Sequence, residues 1–160
     1  PCPCGYYGDE HKACRCTPTK VANYLQRLSG PLLDRIDLQV AVQRPSPEVL
    51  LMPKQGLDTQ TAKRWVAQAQ ARQLARSGLL NGDLPWAELE ACTKLKSVDD
   101  KLLKNAISRL HLSPRGIHKV LRVARTIADL DHTHTIHKDH LLEALSYRRL
   151  DILSMEIEQA

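Results

Sequence analysis

The sequence predicts a mainly α-helical protein that opens with an irregular, cysteine-rich segment. Beyond residue 56, apolar residues recur at the three- and four-residue spacing of one helix face. That stretch also contains the clearest helix start in the chain, Ser113 as N-cap followed by Pro114 at the first helical position. Before residue 56, prolines, glycines and four closely spaced cysteines interrupt any regular element. We therefore expect two domains, residues 1–56 and residues 57–160.

One short helix and one strand are predicted in the first domain. The helix is expected over residues 19–28, and Ser29-Gly30-Pro31 should end it. Residues 37–42 alternate apolar with polar or small side chains, which is typical of a strand. Because one strand does not make a sheet, its partners are expected outside this sequence. We therefore interpret the chain as a piece of a longer protein.

The helical domain follows a linker and starts with a long helix. Thr59 is expected to cap this helix, which should run to about residue 76 and stop at Gly78. Its core face is predicted to consist of Ala62, Trp65, Val66 and Ala69. The linker itself is marked by Pro45, Pro47, Pro53 and Gly56.

Further helices complete a predicted bundle of four or five. They are expected over residues 86–92, over residues 98–111, from Pro114 onward and over residues 138–148. Low sequence separation between neighbouring helices is typical of a small bundle. The last helix should turn Leu141, Leu142 and Leu145 inward, and the helix from Pro114 carries a basic face made of Arg115, His118, Lys119 and Arg122.

The charge balance favours an anionic partner. The formal net charge is +5, and residues 59–130 hold 13 Lys and Arg against 6 Asp and Glu. Phosphate-bearing ligands are therefore expected in the middle of the chain. No apolar run approaches the roughly 20 residues that span a bilayer, and no secretory signal opens the sequence, so a cytoplasmic location without a membrane partner is expected.

Four cysteines in the first sixteen residues form a candidate metal site. Cys2, Cys4, Cys14 and Cys16 supply the four thiolates of a structural, tetrahedral zinc site. The single residue between the members of each pair is a shorter gap than common zinc loops have, and His11 is an alternative ligand. The other interpretation is four unligated thiols in a flexible segment. Metal binding is favoured because paired cysteines in a cytoplasmic protein more often bind metal than form disulfides.

Two arginines are candidates for phosphate contact. Arg35, just before the predicted strand, belongs either to a surface turn held by a local ion pair or to a subunit edge that projects into a neighbour's nucleotide site. Arg115 lies at a helix N-terminus, where backbone N–H groups already favour an anion; the alternative is a solvated basic face. Four histidines, His132, His134, His137 and His140, lack regular metal spacing and are interpreted mainly as exposed polar residues.

Three segments together resemble one family. They are Pro-Cys-Pro-Cys-Gly-Tyr-Tyr-Gly-Asp with Cys-Arg-Cys-Thr-Pro, then Leu-Ser-Gly-Pro-Leu-Leu-Asp-Arg-Ile-Asp-Leu, and last Leu-Ser-Pro-Arg-Gly-Ile-His-Lys-Val-Leu-Arg-Val-Ala-Arg-Thr-Ile-Ala-Asp-Leu. In this order they are similar to the ComM/YifB proteins, which are magnesium-chelatase-like AAA+ ATPases. Pro114 and Gly116 depart from the family pattern, where alanines are expected.

The resemblance implies a C-terminal part of a hexameric ATPase that binds ATP and Mg and acts on DNA, as a branch-migration helicase in natural transformation. Residues 1–56 would be the cysteine-rich loop and an incomplete AAA+ core, and residues 57–160 the helical lid. Arg35 would be the arginine finger, acting on a neighbouring subunit, and Arg115 the sensor-2 arginine. The resemblance assigns no DNA-binding residue.

No Gly-x-x-x-x-Gly-Lys-Ser/Thr run occurs in the 160 residues, so the chain alone should not hydrolyse ATP. Two alternatives remain open at this point. One is the ATPase subunit of a metal chelatase, and the other is a non-enzymatic zinc- and DNA-binding helical module.

Overall fold

The computed structural model describes residues 2–9, 11–27, 30–40, 42, 45–51, 56–95 and 97–148. The described residues are mainly helical, which confirms the predicted fold class. Contacts divide the chain into two compact units, Pro1–Pro53 with Arg148–Ala160, and Lys54–Tyr147. The helices are α1 (Pro18–Leu25), α2 (Gly30–Leu33), α3 (Pro47–Leu51), α4 (Thr59–Ser77), α5 (Trp86–Cys92), α6 (Ser97–Arg109), α7 (Pro114–Leu130) and α8 (Lys138–Ser146).

The first unit begins with the cysteine-rich loop and α1. The hydroxyl of Thr17 caps α1 by accepting from the Lys20 amide, and Pro18 takes the first helical position, where no N–H is needed. The helix ends at Leu25, and residue 28, its predicted end, lies outside the described residues. The one-turn helix α2 occupies part of the segment that was expected to be a helix stop.

The strand predicted over residues 37–42 is wrong for the residues described there. Its one ladder contact is an isolated parallel β-bridge between Gln39 and Arg148. Leu38, Val40 and Val42 remain 51%, 65% and 90% exposed. A strand needs neighbouring strands to satisfy its backbone and cover its side chains, and the described residues supply none. Ala41 lies outside the described residues, and α3 occupies part of the predicted linker.

In the residues that the structure describes, the second unit is a bundle of five helices built around α7. Ser113 caps α7 by accepting from the Gly116 amide at 3.0 Å, and Pro114 opens the helix, so this predicted start is confirmed. Helices α6, α7 and α8 supply most of the core. Its buried members are Leu103, Leu112, Val120, Leu121, Ala124, Ile127, Ala128, Ile136, Leu141, Ala144 and Leu145.

Details of α4 and α8 differ from the prediction. Asp58, not Thr59, caps α4 by accepting from the Thr61 amide at 2.9 Å, while Gly78 ends the helix with a φ of 73° as predicted. Trp65 and Val66 are about half exposed, at 51% and 50%, because the polar links between α4 and α7 come from the C-terminal half of α4. Leu142 of α8 is also exposed rather than inward.

A buried carboxylate joins α4, the turn after it and α7. Asp129 is 1% exposed and accepts hydrogen bonds from Arg76 (2.6 and 3.0 Å), Asn81 (2.9 Å) and Arg125 (3.0 Å). Arg125 is fully buried and also donates to two backbone carbonyls of the turn before α8, those of Thr133 and His134. We call these four side chains the Asp129 network. It links α4, the turn after it and α7 within the second unit.

Among the described residues, no helix combines the length and the apolar character that a membrane crossing requires.

Candidate functional site

Two tight turns bring the four predicted cysteines together. Gly5 and Gly8 adopt φ values of 81° and 82°, a region that glycine enters without steric cost. The Gly5 amide donates to the Cys2 carbonyl at 3.0 Å and closes the first turn. The Asp9 carboxylate accepts from the His11 and Lys12 amides at 2.8 and 2.9 Å. These turns reverse the chain so that the second cysteine pair returns to the first.

The four sulfur atoms all lie within 4.8 Å of one another. Three of the sulfur–sulfur separations are 3.4 Å from Cys2 to Cys4, 3.7 Å from Cys2 to Cys14 and 3.5 Å from Cys4 to Cys14. A disulfide requires about 2.05 Å between sulfur atoms, and all four thiols are free. Zinc–sulfur bonds of about 2.3 Å in a tetrahedron place sulfurs about 3.8 Å apart. The arrangement therefore fits a four-thiolate metal centre.

Backbone amides and burial shift the pKa values of the thiols in opposite directions. Amide N–H groups of Tyr6 and Arg15 donate to the Cys4 sulfur and lower its pKa to about 6. The Cys16 amide also lowers the pKa of Cys14, but burial and the neighbouring sulfurs outweigh it and raise that pKa to about 12. Four negative charges so close together repel one another. A divalent cation at the centre would remove that repulsion and keep all four thiols deprotonated.

Helix α1 packs on one side of the cluster. Val21 and Leu25 are buried and form one apolar group with Cys2, which is 4% exposed, and with the three other cysteines. His11, the alternative ligand, is exposed, and the group of possible ligands found in the described residues contains the four cysteines alone. The thiols thus belong to the small core of the first unit. Four protein ligands would leave no open position for a substrate.

Arg35 lies in an exposed turn directly after α2. The Arg35 and Ile36 amides donate to the Leu32 and Leu33 carbonyls at 3.0 and 3.1 Å. An ion pair joins Asp34 of this turn to Arg148, with 3.6 Å between Oδ1 and Nη2. Its partner is thus distant in sequence, and sequence reasoning missed Arg148 because no local pattern indicates it.

Arg115 occupies the second position of α7 and its side chain is exposed. The rest of the predicted basic face is partly engaged inside the second unit. The His118 ring stacks on Trp86 with 3.6 Å between ring centres, and Arg122 donates to the Leu84 carbonyl at 3.0 Å. Burial, and then the nearby Arg122 charge, lower the pKa of His118. The face therefore divides into an exposed N-terminal end, at Arg115, and side chains that contact Trp86 of α5 and Leu84 two residues before it.

The four histidines before and within α8 do not form a metal site among the described residues. His132 and His134 are exposed, as predicted. His140 is only 5% exposed, which corrects the prediction for that residue. Its Nδ1 accepts from the His137 amide at 3.0 Å and its Nε2 lies 3.2 Å from the Asp131 carboxylate. His140 therefore stabilises the first turn of α8.

Two family models match the chain, one for each unit. Residues 1–50 match the model described as "Magnesium chelatase, subunit ChlI". Residues 56–148, more than half of the chain, match the model described as "Magnesium chelatase, subunit ChlI C-terminal". The cysteine cluster and the helical bundle thus define a protein of the magnesium chelatase ChlI class.

Curated relatives place the chain more closely within that class. It is 40% identical over 162 residues to the uncharacterized protein YifB of Escherichia coli K12, covering 99% of this chain and 31% of the relative. It is 40% identical over 159 residues to the competence protein ComM of Haemophilus influenzae Rd, covering 94% and 29%. An uncharacterized protein of Mycobacterium tuberculosis H37Rv is 32% identical over 153 residues, covering 93% and 30%.

The chain belongs to the ComM/YifB family of magnesium-chelatase-like proteins. This confirms the resemblance drawn from the three sequence segments. The chain spans about a third of the length of these relatives.

Proposed function

We propose that this chain is the part of a ComM-type AAA+ ATPase that carries a cysteine-rich structural centre, an arginine finger and a helical lid. In this proposal the longer protein forms a hexamer, binds ATP with Mg²⁺ and uses hydrolysis to drive branch migration of DNA. The observation that carries it is the 40% identity to the competence protein ComM over nearly the whole chain. The ATP-binding motifs would lie outside these residues, since the chain has no phosphate-binding loop.

Arg35 is the proposed arginine finger. Its side chain is exposed, and both its own amide and the next one are held by α2. An arginine finger must reach a γ-phosphate on another subunit, so it needs an exposed guanidinium on a firmly held backbone. The turn after α2 meets both requirements.

Arg115 is the proposed sensor-2 arginine. It is exposed one residue after Pro114, at the N-terminal end of a 17-residue helix. The helix dipole favours an anion at this end. A guanidinium there adds a full positive charge and a planar pair of donors for phosphate oxygens. Movement of the lid with nucleotide state would change how closely this group approaches the phosphates.

The test of these roles uses the longer protein, in which this chain is joined to the ATP-binding segment. Arg35→Ala should lower kcat for ATP by about 10³-fold or more, the range typical of arginine fingers. Arg115→Ala should weaken nucleotide binding and DNA-stimulated turnover. Lys104→Ala serves as the control, because Lys104 is exposed and paired with Asp100 at 2.6 Å on α6. Normal ATP turnover and branch migration in both arginine variants would refute the assignment.

We also propose that Cys2, Cys4, Cys14 and Cys16 hold a structural zinc ion. The sulfur separations fit tetrahedral coordination, and the thiols form much of the small core in the first unit. When bound, the metal would cross-link the two turns. It would act on folding and leave the reaction itself to other groups.

Elemental analysis of protein purified under reducing conditions should find about one zinc per chain. Cys4→Ser should lose that zinc, whereas Cys92→Ser, which changes the one cysteine outside the cluster, should retain it. Removing the metal with a chelator should make residues of the first unit exchange amide hydrogens rapidly and leave Lys54–Tyr147 protected. Zinc-free protein with four freely reactive N-terminal thiols would disprove the site.

A second candidate is the ATPase subunit of a metal chelatase, which the descriptions of both family models favour. The two functions differ in what should stimulate the longer protein. DNA should accelerate ATP hydrolysis in a ComM-type enzyme, and a tetrapyrrole with its chelatase partners should do so in the alternative. If this chain acts alone as a DNA-binding module, it should bind DNA with steep salt dependence without any ATP-binding segment.

A further inference from the structure

The Arg148 side chain contacts the residues on both sides of Arg35. Its Nη1 donates to the Ile36 carbonyl at 3.1 Å, and its Nη2 lies 3.6 Å from the Asp34 carboxylate. These two residues flank Arg35 directly. The backbone of Arg148 is itself fixed, because it forms the isolated parallel bridge with Gln39. One side chain therefore restrains the residues before and after Arg35.

The burial of Arg148 makes these contacts specific to an arginine side chain. Arg148 is 2% exposed, whereas the Asp34 side chain is 27% exposed. Removing an arginine from water is unfavourable unless hydrogen bonds and an opposite charge compensate for the lost hydration. The planar guanidinium can bond a carbonyl and a carboxylate at the same time, which a lysine ammonium on a flexible stem does less well.

We propose that Arg148 is a positioning residue for Arg35, holding the turn so that the Arg35 guanidinium points in one direction. The inference rests on the proposed finger role of Arg35. Arg148 is separated from Ile36 by 112 positions and follows the last residue of α8 by two. The residue that holds the turn therefore follows the whole helical unit in the sequence. Arg35 carries the charge, and Arg148 determines where that charge is placed.

The first test measures the turn in the chain itself by amide hydrogen exchange. Arg148→Gln and Arg148→Lys should accelerate exchange at Arg35 and Ile36 by about tenfold or more, the factor for losing one charge-assisted hydrogen bond of about 1.5 kcal/mol. Asp34→Asn provides a variant that leaves Arg148 in place, and it should accelerate the same amides by a smaller factor. Arg27→Gln, an exposed arginine of the same unit, is the control. Unchanged exchange at these two amides would overturn the inference.

The second test measures ATP turnover in the longer protein with the ATP-binding segment. Arg148→Lys should lower kcat by about 10²-fold, the cost of misplacing a catalytic group by about 1 Å, with KM unchanged. In an Arg35→Ala background the same change should have no further effect, because the group that it positions is absent. If Arg148 had a purely structural role, Arg148→Lys would lower kcat by a similar factor in the wild type and in the Arg35→Ala background. That result would overturn the inference.

The two tests separate this inference from the proposed function. If Arg35→Ala leaves turnover normal, the finger assignment itself fails, and the positioning inference fails with it. If Arg35→Ala lowers turnover as expected while Arg148→Lys leaves both exchange and turnover normal, the positioning inference alone fails.

Discussion

Replacing Asp129 with asparagine tests the electrostatic support of the helical unit. Asp129 is the one carboxylate that faces Arg125 in the network, and Arg125 is 0% exposed. Asparagine keeps the shape but removes the charge, so the buried Arg125 guanidinium would lose its anionic partner and keep only neutral acceptors, among them two backbone carbonyls. Breaking a buried ion pair on one side typically costs about 3–5 kcal/mol. We expect Asp129→Asn to reduce the free energy of unfolding by that amount.

Urea denaturation followed by tryptophan fluorescence measures this loss. Both tryptophans, Trp65 and Trp86, lie in the unit that contains Asp129, so the signal reports on that unit. Arg76→Met is the matched comparison, because the Arg76 side chain is 25% exposed and its removal leaves Asp129 still bonded to Arg125 and Asn81. That variant should lose about 1–3 kcal/mol. A loss below about 1 kcal/mol in Asp129→Asn would refute the reasoning.

The network also predicts a pH dependence with a definite sign. Burial alone would raise the pKa of Asp129, but hydrogen bonds from Arg76 and Asn81 and the charge of Arg125 outweigh it and hold the pKa below its ordinary value. The carboxylate therefore contributes stability that is full above about pH 3.9 and is lost as the pH falls through the folded-state pKa. The stability difference between the wild type and Asp129→Asn should shrink in acid. A difference that stays constant in this range would contradict the assignment.

Two further predictions concern α7. Gly116→Ala should stabilise the unit by about 0.5–1 kcal/mol. An added Cβ would lie 3.5 Å from its nearest atom, Ser113 Oγ, which is an ordinary van der Waals distance. A lower urea midpoint in this variant would show that the space is not available. Because burial lowers the pKa of His118, folding favours its neutral form, and this residue should weaken stability as the pH falls below about 6.5. Trp86→Ala uncovers the ring and should raise that pKa in an NMR titration, and an unmoved titration midpoint would mean that the stack does not cause the shift.

Local sequence signals predicted those parts of the fold that depend on neighbouring residues. The start of α7 follows from one hydroxyl and one proline, and the end of α4 follows from a glycine that accepts a left-handed conformation. The same holds for the cysteine cluster, because all four cysteines and both turning glycines lie within sixteen residues. Such features need no information about distant segments.

Predictions that required a distant partner failed. The alternation in residues 37–42 is a real strand pattern, but a strand forms only beside other strands, and the described residues contribute a single bridge. Trp65 has the right spacing for a core position on α4, yet it is half exposed because helical periodicity identifies a face without saying how far the neighbouring helix extends.

The sequence by itself determined the family, the helical character and the cysteine cluster, whereas the roles of Arg35 and Arg115 stay predictions. Only the tertiary structure shows that Arg148 contacts Asp34 and Ile36. It also shows that Asp129 accepts hydrogen bonds from α4, from the turn after α4 and from α7. The physical reason is that a side-chain hydrogen bond depends on distance in space. A separation of 112 positions leaves no periodicity from which such a bond can be inferred.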